Sequence, residues 1–153
     1  MEKYERIDRE LVHKGAIIDY YQDTIRIPNG NIAKWDYIKH KGAAAVVAVQ
    51  DDGKLLMVRQ YRNALDRETL EIPAGGLDGA EEPTELAAAR ELEEETGYTA
   101  GRIELLLSLR TTVAFCDEKI DVYVATDLKR SRQHLDEDEF LDVASYDVEE
   151  LLK

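Results

Sequence analysis

A mixed α/β domain is the fold class this sequence predicts, and three stretches carry the prediction. Residues 17–27 and 43–49 are rich in β-branched, aromatic or small apolar side chains and end at turn signals, as strands do. Residues 82–96 are instead built from Ala, Leu, Glu and Arg, which fill helices, with Pro83 near the start and Gly97 just past the end. At 153 residues the chain is read as one domain with a buried core, in which 1–41 form an N-terminal β segment and 42–153 the main body.

The first strand, 17–27, stops at Pro28-Asn29-Gly30, and a second over 31–40 completes a hairpin that forms a small N-terminal sheet. Trp35, Tyr20 and Tyr21 are its candidates for stacking or interface contacts, with plain packing as the alternative. Gly42 opens 43–49, apolar on both faces and so a central strand. Asp51-Asp52-Gly53 turns the chain into a returning strand over 54–61. Arg62 and Arg67 then fall in a loop, where they are either surface charges or a bidentate clamp for phosphate or ribose oxygens. Pro73-Ala74-Gly75-Gly76 carries no bulky side chain and lets a ligand approach the backbone. After the helix, strands are predicted over 101–110, 119–125 and 140–146, a polar connector over 128–134, and a last helix from Asp147.

The helix is the informative element. At 100° per residue Glu91, Glu94 and Glu95 share about a third of its circumference. A narrow stripe of Ala88, Ala89 and Leu92 is read as the opposite side, so the helix is expected to pack the stripe and display the acids. Like charges at i, i+3 and i+4 repel, and Arg90 alone cannot neutralise three of them. Two readings follow: a solvated acidic face, or a site for a hard divalent cation that takes carboxylate oxygens and keeps water and phosphate as its other ligands.

Composition narrows the choice of partners. A net charge of −13 argues against nucleic acid and anionic membranes, whose recognition depends on clustered Lys and Arg. It permits a small phosphorylated substrate if cations and a few arginines reverse the field locally. No apolar run reaches membrane length, and Met1 to Arg6 leads into no hydrophobic segment, so neither a span nor a signal peptide is expected. Cys116, the one cysteine, excludes an internal disulfide and suits a cytoplasmic protein; a packed thiol is its reading. His13, His40 and His134 have no metal-ligand spacing.

Gly76, Glu82, Arg90, Glu91, Leu92, Glu94, Glu95 and Gly97 together have the spacing Gly-x5-Glu-x7-Arg-Glu-U-x-Glu-Glu-x-Gly-U, with Tyr98 where U is a bulky aliphatic residue. This resembles the Nudix box, and Glu71-Ile72-Pro73-Ala74-Gly75 with Arg59-Gln60-Tyr61-Arg62 is similar to the ADP-ribose pyrophosphatase branch of that family. The resemblance implies an α/β/α sandwich with a mixed central sheet, a catalytic core over 42–153, and an N-terminal hairpin exchanged across a homodimer. It implies Mg²⁺ or Mn²⁺ held by Glu91, Glu95, Glu94, Glu139 and a carbonyl at Ala74 or, one residue on, Gly75. Glu137 is then the general base, with Glu94 and Arg90 in the catalytic set; Arg90 and Glu82 also brace the loop against the helix.

On the same resemblance Arg62, Glu71, Arg67, Trp35 and Glu118 contact substrate, while Gly76, Glu82 and Gly97 shape the motif. The implied reaction is hydrolysis of a small nucleoside diphosphate compound, with ADP-ribose to AMP and ribose 5-phosphate as first choice. GDP-mannose or NADH are alternative substrates, and a non-catalytic ADP-ribose sensor is an alternative of another class. The presence of all three helix acids favours catalysis over the sensor. Two departures bear on substrate and dimer: Thr112-Val113-Ala114 stands where Ser-Pro-Gly is common, and the sequence stops at Lys153 where many relatives continue into another helix.

Overall fold

The structure, a computed structural model, describes residues 3–153, which group into two compact units. One unit comprises residues up to Gly42 together with Arg110–Lys119. It holds strands β1 (Glu5–Lys14), β2 (Asp19–Arg26) and β3 (Ile32–Lys39) in an antiparallel sheet of order β1-β2-β3. The expected hairpin is β2–β3, closed by Gly30 at φ 88°, whose N–H donates to the Ile27 carbonyl at 2.8 Å.

β1 was not expected from the sequence, because Glu5–Lys14 interleaves charges with isolated apolar residues. Its pairing with β2 carries a bidentate contact of Arg9 with the buried Asp23, both bonds 2.6 Å, and the Arg9 guanidinium lies 3.7 Å from the Tyr37 ring centroid. Among the described residues of the three strands only Asp23 and Ile25 are buried, while Ile7, Leu11, Val12, Ile32 and Trp35 are exposed. The 110–119 segment joins this unit through a parallel bridge between Ile38 and Cys116 and through Asp117, which accepts from the Tyr37 hydroxyl and the His40 N–H.

The other unit, Ala43–Leu109 with Ile120–Lys153, contains the helix. Its strands are β4 (Ala43–Val49), β5 (Leu55–Arg62), β6 (Arg67–Glu71), β7 (Ala74–Gly76), β8 (Tyr98–Arg110), β9 (Lys119–Arg130) and β10 (Leu141–Tyr146). They form one mixed sheet, β10-β5-β4-β9-β8, with β6 added to β5 and β7 to β4. β4 runs parallel to β9 and antiparallel to β5 and β7, so the expected mixed α/β architecture is present. The small side chains of β4 let helix α1 (Thr84–Thr96) settle on the sheet: Ala44, Val46, Ala48, Leu56, Tyr123 and Ala125 form one buried cluster with Leu77, Ala87, Ala88 and Leu92.

Several sequence expectations are corrected. Arg62 and Arg67 lie at facing ends of the β5–β6 hairpin, not in a loop, and the glycine-rich 73–76 stretch pairs with β4 as β7. Backbone pairing decided both, against the polar residues of 62–67 in one case and the Pro and Gly of 73–76 in the other. Pro83 is the extended cap before the helix (ψ 130°), so Glu82 lies outside it. β9 runs on to Arg130 and takes over the start of the polar connector. The last helix, α2 (Val148–Leu151), is a single turn with a capping box between Asp147 and Glu150. It stands near the sheet face of Met57, where Met57, Leu70, Tyr146 and Leu151 line an open cavity.

Candidate active site

Of the three clustered acids of α1, Glu91 and Glu95 are not displayed to solvent as expected, and Glu94 is half-buried. Glu91 is 7% exposed and Glu95 1%, alongside Ala87, Ala88 and Leu92; Ala89 is only half-buried. At about 100° per residue Glu95 falls only about 20° from Ala88 and about 60° from Leu92, on the packed face rather than opposite it, and the backbone of β7 covers that side. A methyl group on Gly75 would lie 2.2 Å from the Glu91 carboxylate carbon, so only glycine lets that carboxylate rest against the strand. One residue earlier the Ala74 N–H donates to Glu95 Oε2 at 3.1 Å.

Arg90 binds the loop to the helix. Its guanidinium donates to the Gly76 carbonyl (3.1 Å), to Glu82 (3.2 Å), to Glu91 (2.7 Å) and to Glu94 (3.0 Å), and reaches Asp78 at 3.3 Å. Glu82 in turn accepts from the Asp78 N–H at 2.7 Å. Gly97 ends the helix in the left-handed conformation, φ 71°, its N–H on the Glu93 carbonyl. Arg90 therefore serves Glu91 and Glu94, whereas Glu95 has the Ala74 N–H.

The electrostatic result is a pair of uncomfortable acids. Burial pushes Glu95 up to about 8, with the charge of Glu91 and, more weakly, Glu139 adding to the rise. Burial also raises Glu91, against the opposing pull of Arg90. The opposite case is Glu71, which the Arg62 guanidinium holds below the ordinary carboxylate range through two hydrogen bonds of 2.7 and 2.5 Å. Arg62 itself feels Glu95 and Glu139.

Two buried carboxylates beside a closely passing backbone have the donor chemistry of a hard divalent cation site. Among the described residues, no group of three or more His, Cys, Asp or Glu stands already gathered for such an ion. Glu139 is half-buried and Glu137 exposed, on either side of Asp138 in a turn closed by the Glu139 N–H on the Asp136 carbonyl at 3.0 Å.

Arg67 is exposed. Trp35 and Glu118 belong to the first unit: Trp35 is tilted against Tyr4 at 5.8 Å, and Glu118 lies 3.6 Å from His40 and accepts from the Thr111 hydroxyl. Tyr20 donates to Asp36 at 2.8 Å, and Tyr21 lies against Tyr37.

Sequence reasoning passed over a second polar cluster. Asp121, 5% exposed, accepts from Thr84 at 2.9 Å and Ser108 at 2.5 Å, and Thr84 also contacts the Tyr123 hydroxyl at 2.7 Å. This ties the first residue of α1 to β8 and β9. Its only sequence signal was an acid inside an otherwise apolar strand.

Comparison with known proteins shows the family. The NUDIX domain pattern matches residues 39–153. The ADP-ribose pyrophosphatase of Bacillus subtilis is 44% identical over 96% of this chain and 80% of its own length. The ADP-ribose pyrophosphatase of Mycobacterium tuberculosis is 44% identical over 82% of this chain and 61% of its own, and the methanol dehydrogenase activator of Bacillus methanolicus is 41% identical over 96% and 80%. Among solved structures, one described as an ADP compounds hydrolase superposes with a TM-score of 0.86 over 99% of this chain and 82% of its own, at 23% identity, and shares the fold. The matched pattern and these identities over most of the sequence show that the chain belongs to the Nudix domain family and is a Nudix hydrolase.

Proposed function

We propose that this protein hydrolyses the pyrophosphate bond of ADP-ribose to give AMP and ribose 5-phosphate. The observation that carries the reading is the pair Glu91 and Glu95, buried together under β7 with only Glu91 answered by Arg90. The B. subtilis relative, named for the same activity and aligned over nearly all of this chain, supports the substrate.

Nudix hydrolases generally use divalent metal ions; here Mg²⁺ or Mn²⁺ is the choice. Glu91 and Glu95 would hold it, with Glu94, Glu139 and the Ala74 carbonyl as further ligands. When bound, such an ion neutralises diphosphate charge and makes water a stronger nucleophile. The chain's own residues do the rest. Water adds to one phosphorus, the bridging P–O bond breaks, and the proton of that water passes to Glu137, whose exposed position on the turn leaves it accessible. Arg62, held in plane by Glu71, presents its remaining donors to phosphate oxygens. Arg90 and Glu82 keep the loop fixed to α1 while charge develops, so that the carboxylates do not have to reorganise.

A homodimer belongs to the same reading, since Ile7, Leu11, Val12 and Ile32 leave apolar surface on the β1–β3 sheet for a second copy to cover. Trp35 and Glu118 are assigned to substrate contacts and Arg67 to the phosphate side. No helix among the described residues is long and apolar enough to cross a membrane, and a nucleotide-derived substrate with a free Cys116 suits the cytoplasm. The test is a panel of ADP-ribose, GDP-mannose and NADH with Mg²⁺ or Mn²⁺, products identified by mass. AMP and ribose 5-phosphate, formed fastest from ADP-ribose, are expected. Faster cleavage of another compound would move the substrate, and tight ADP-ribose binding without product would make the protein a sensor.

A further inference from the structure

The last carbonyls of any helix lack partners within it. In α1 the Glu93 carbonyl accepts from the Gly97 N–H at 2.8 Å. Three of the acceptors beyond it are taken by one short segment that follows β9. The Glu94 carbonyl receives the His134 N–H at 3.1 Å, the Glu95 carbonyl receives Gln133 Nε2 at 2.5 Å, and the Gly97 carbonyl receives the Ser131 N–H at 2.7 Å. The Ser131 hydroxyl also donates to the Glu93 carboxylate. Residues 131–134 thus form a collar on the helix end. Gly97 is needed for this as well as for its φ of 71°, because a methyl group there would stand 3.0 Å from the Gln133 nitrogen.

Only residues 135–138 separate the collar from Glu139, and the Asp136 turn shortens that path further. A tether so short passes any shift at 133 directly to the acids that follow. Of the three bonds made to helix carbonyls, two come from backbone N–H groups that any residue supplies. The third comes from a side chain that reaches the carbonyl of Glu95 itself.

We propose that Gln133 is a positioning residue, whose amide on the Glu95 carbonyl sets the register of the 135–139 loop against the carboxylates of α1 and so places Glu137 and Glu139 for the reaction. The inference rests on the hydrolase reading above, in which that loop supplies the base and a ligand. Gln133 is itself exposed, so losing its amide opens no hole in the core and leaves the fold intact, while the carbonyl of Glu95, a residue 1% exposed, loses its side-chain partner. The loop remains attached through Ser131 and His134 but swings on them, and displacements of about 1 Å at reacting groups cost about a hundredfold in rate.

The experiment uses Gln133→Met, which keeps the length and removes the donor, and Gln133→Glu, which sets a carboxylate against the carbonyl. Arg132→Ala is the neighbouring control. Three readouts are compared with the unmutated protein: amide hydrogen exchange of 135–140 in metal-free protein, thermal unfolding, and kcat and KM separately. Both Gln133 variants are expected to stay folded and unfold cooperatively a few degrees lower, to exchange at least about fivefold faster over 135–140, and to lose at least about tenfold in kcat with KM within about threefold. Arg132→Ala should change none of these. Unaltered exchange or unaltered kcat in folded Gln133→Met would overturn the assignment. If unmutated protein cleaves no diphosphate, the hydrolase reading fails by itself, and the exchange measurement still decides whether Gln133 holds the loop.

Discussion

Metal-free protein should lose stability as pH rises from 4.5 towards 8, and Glu95→Gln should remove that loss. The Glu95 carboxyl is 1% exposed, and burial and Glu91 push its folded-state value from 4.5 to about 8. Between those two values the folded protein keeps a proton that the unfolded chain has released. Stability is therefore fully present below pH 4.5 and is lost as pH rises through about 8. At about 1.36 kcal/mol per pH unit the ceiling is on the order of 5 kcal/mol, and water entry with relaxation of the coupled Glu91 brings it to roughly 2–4. Glutamine keeps an acceptor for the Ala74 N–H while removing the charge. Urea unfolding of EDTA-treated protein at pH values from 5 to 9 measures the effect, the difference between the two proteins cancelling titrations they share. Glu95→Gln should be the more stable protein at pH 8, with the gap closing near pH 5, and Mg²⁺ should narrow it by stabilising only the unmutated chain. Parallel profiles would refute the claim that Glu95 is ionised at a cost in the metal-free fold.

Gly75→Ala should lower kcat/KM by about a hundredfold, since its methyl group displaces the Glu91 carboxylate; Gly79→Ala, with nothing within 4 Å of the added carbon, should stay within about twofold on the same assay. Asp121→Ala should cost about 2–4 kcal/mol in urea unfolding, because the hydroxyls of Thr84 and Ser108 lose a buried acceptor between α1 and the sheet. Leu92→Ala, at a site 0% exposed within the main cluster, should cost about 2–5 kcal/mol in the same measurement.

Local chemistry was the part of this molecule that its sequence made legible. Gly97 announced a left-handed helix end, Pro28-Asn29-Gly30 a hairpin, and the apolar run of β4 a strand at the sheet's centre; each depends on residues close together in the chain. The pairings that needed distant partners were not legible. β1 reads as a charged stretch until Asp23 is set opposite Arg9, and β7 reads as bare backbone open to a ligand until β4 accepts it as a neighbour. The acids were misplaced by an angle: at about 100° per residue Glu95 falls about 20° and Glu91 about 60° from Ala88, on the side that packs, and β7 then covers that side. The collar at residues 131–134 was hidden for another reason, since polar side chains that satisfy another element's carbonyls look like any solvated connector.

Whether the buried acids hold a catalytic ion is decided by a metal titration of ADP-ribose hydrolysis, run on EDTA-stripped protein beside Glu95→Gln. No AMP is expected from stripped protein, with recovery on adding Mg²⁺ or Mn²⁺ and at least about a hundredfold less activity in Glu95→Gln at every ion concentration. Recovery of the variant to the level of the unmutated protein, or full activity in the presence of EDTA, would contradict a catalytic ion held by Glu95.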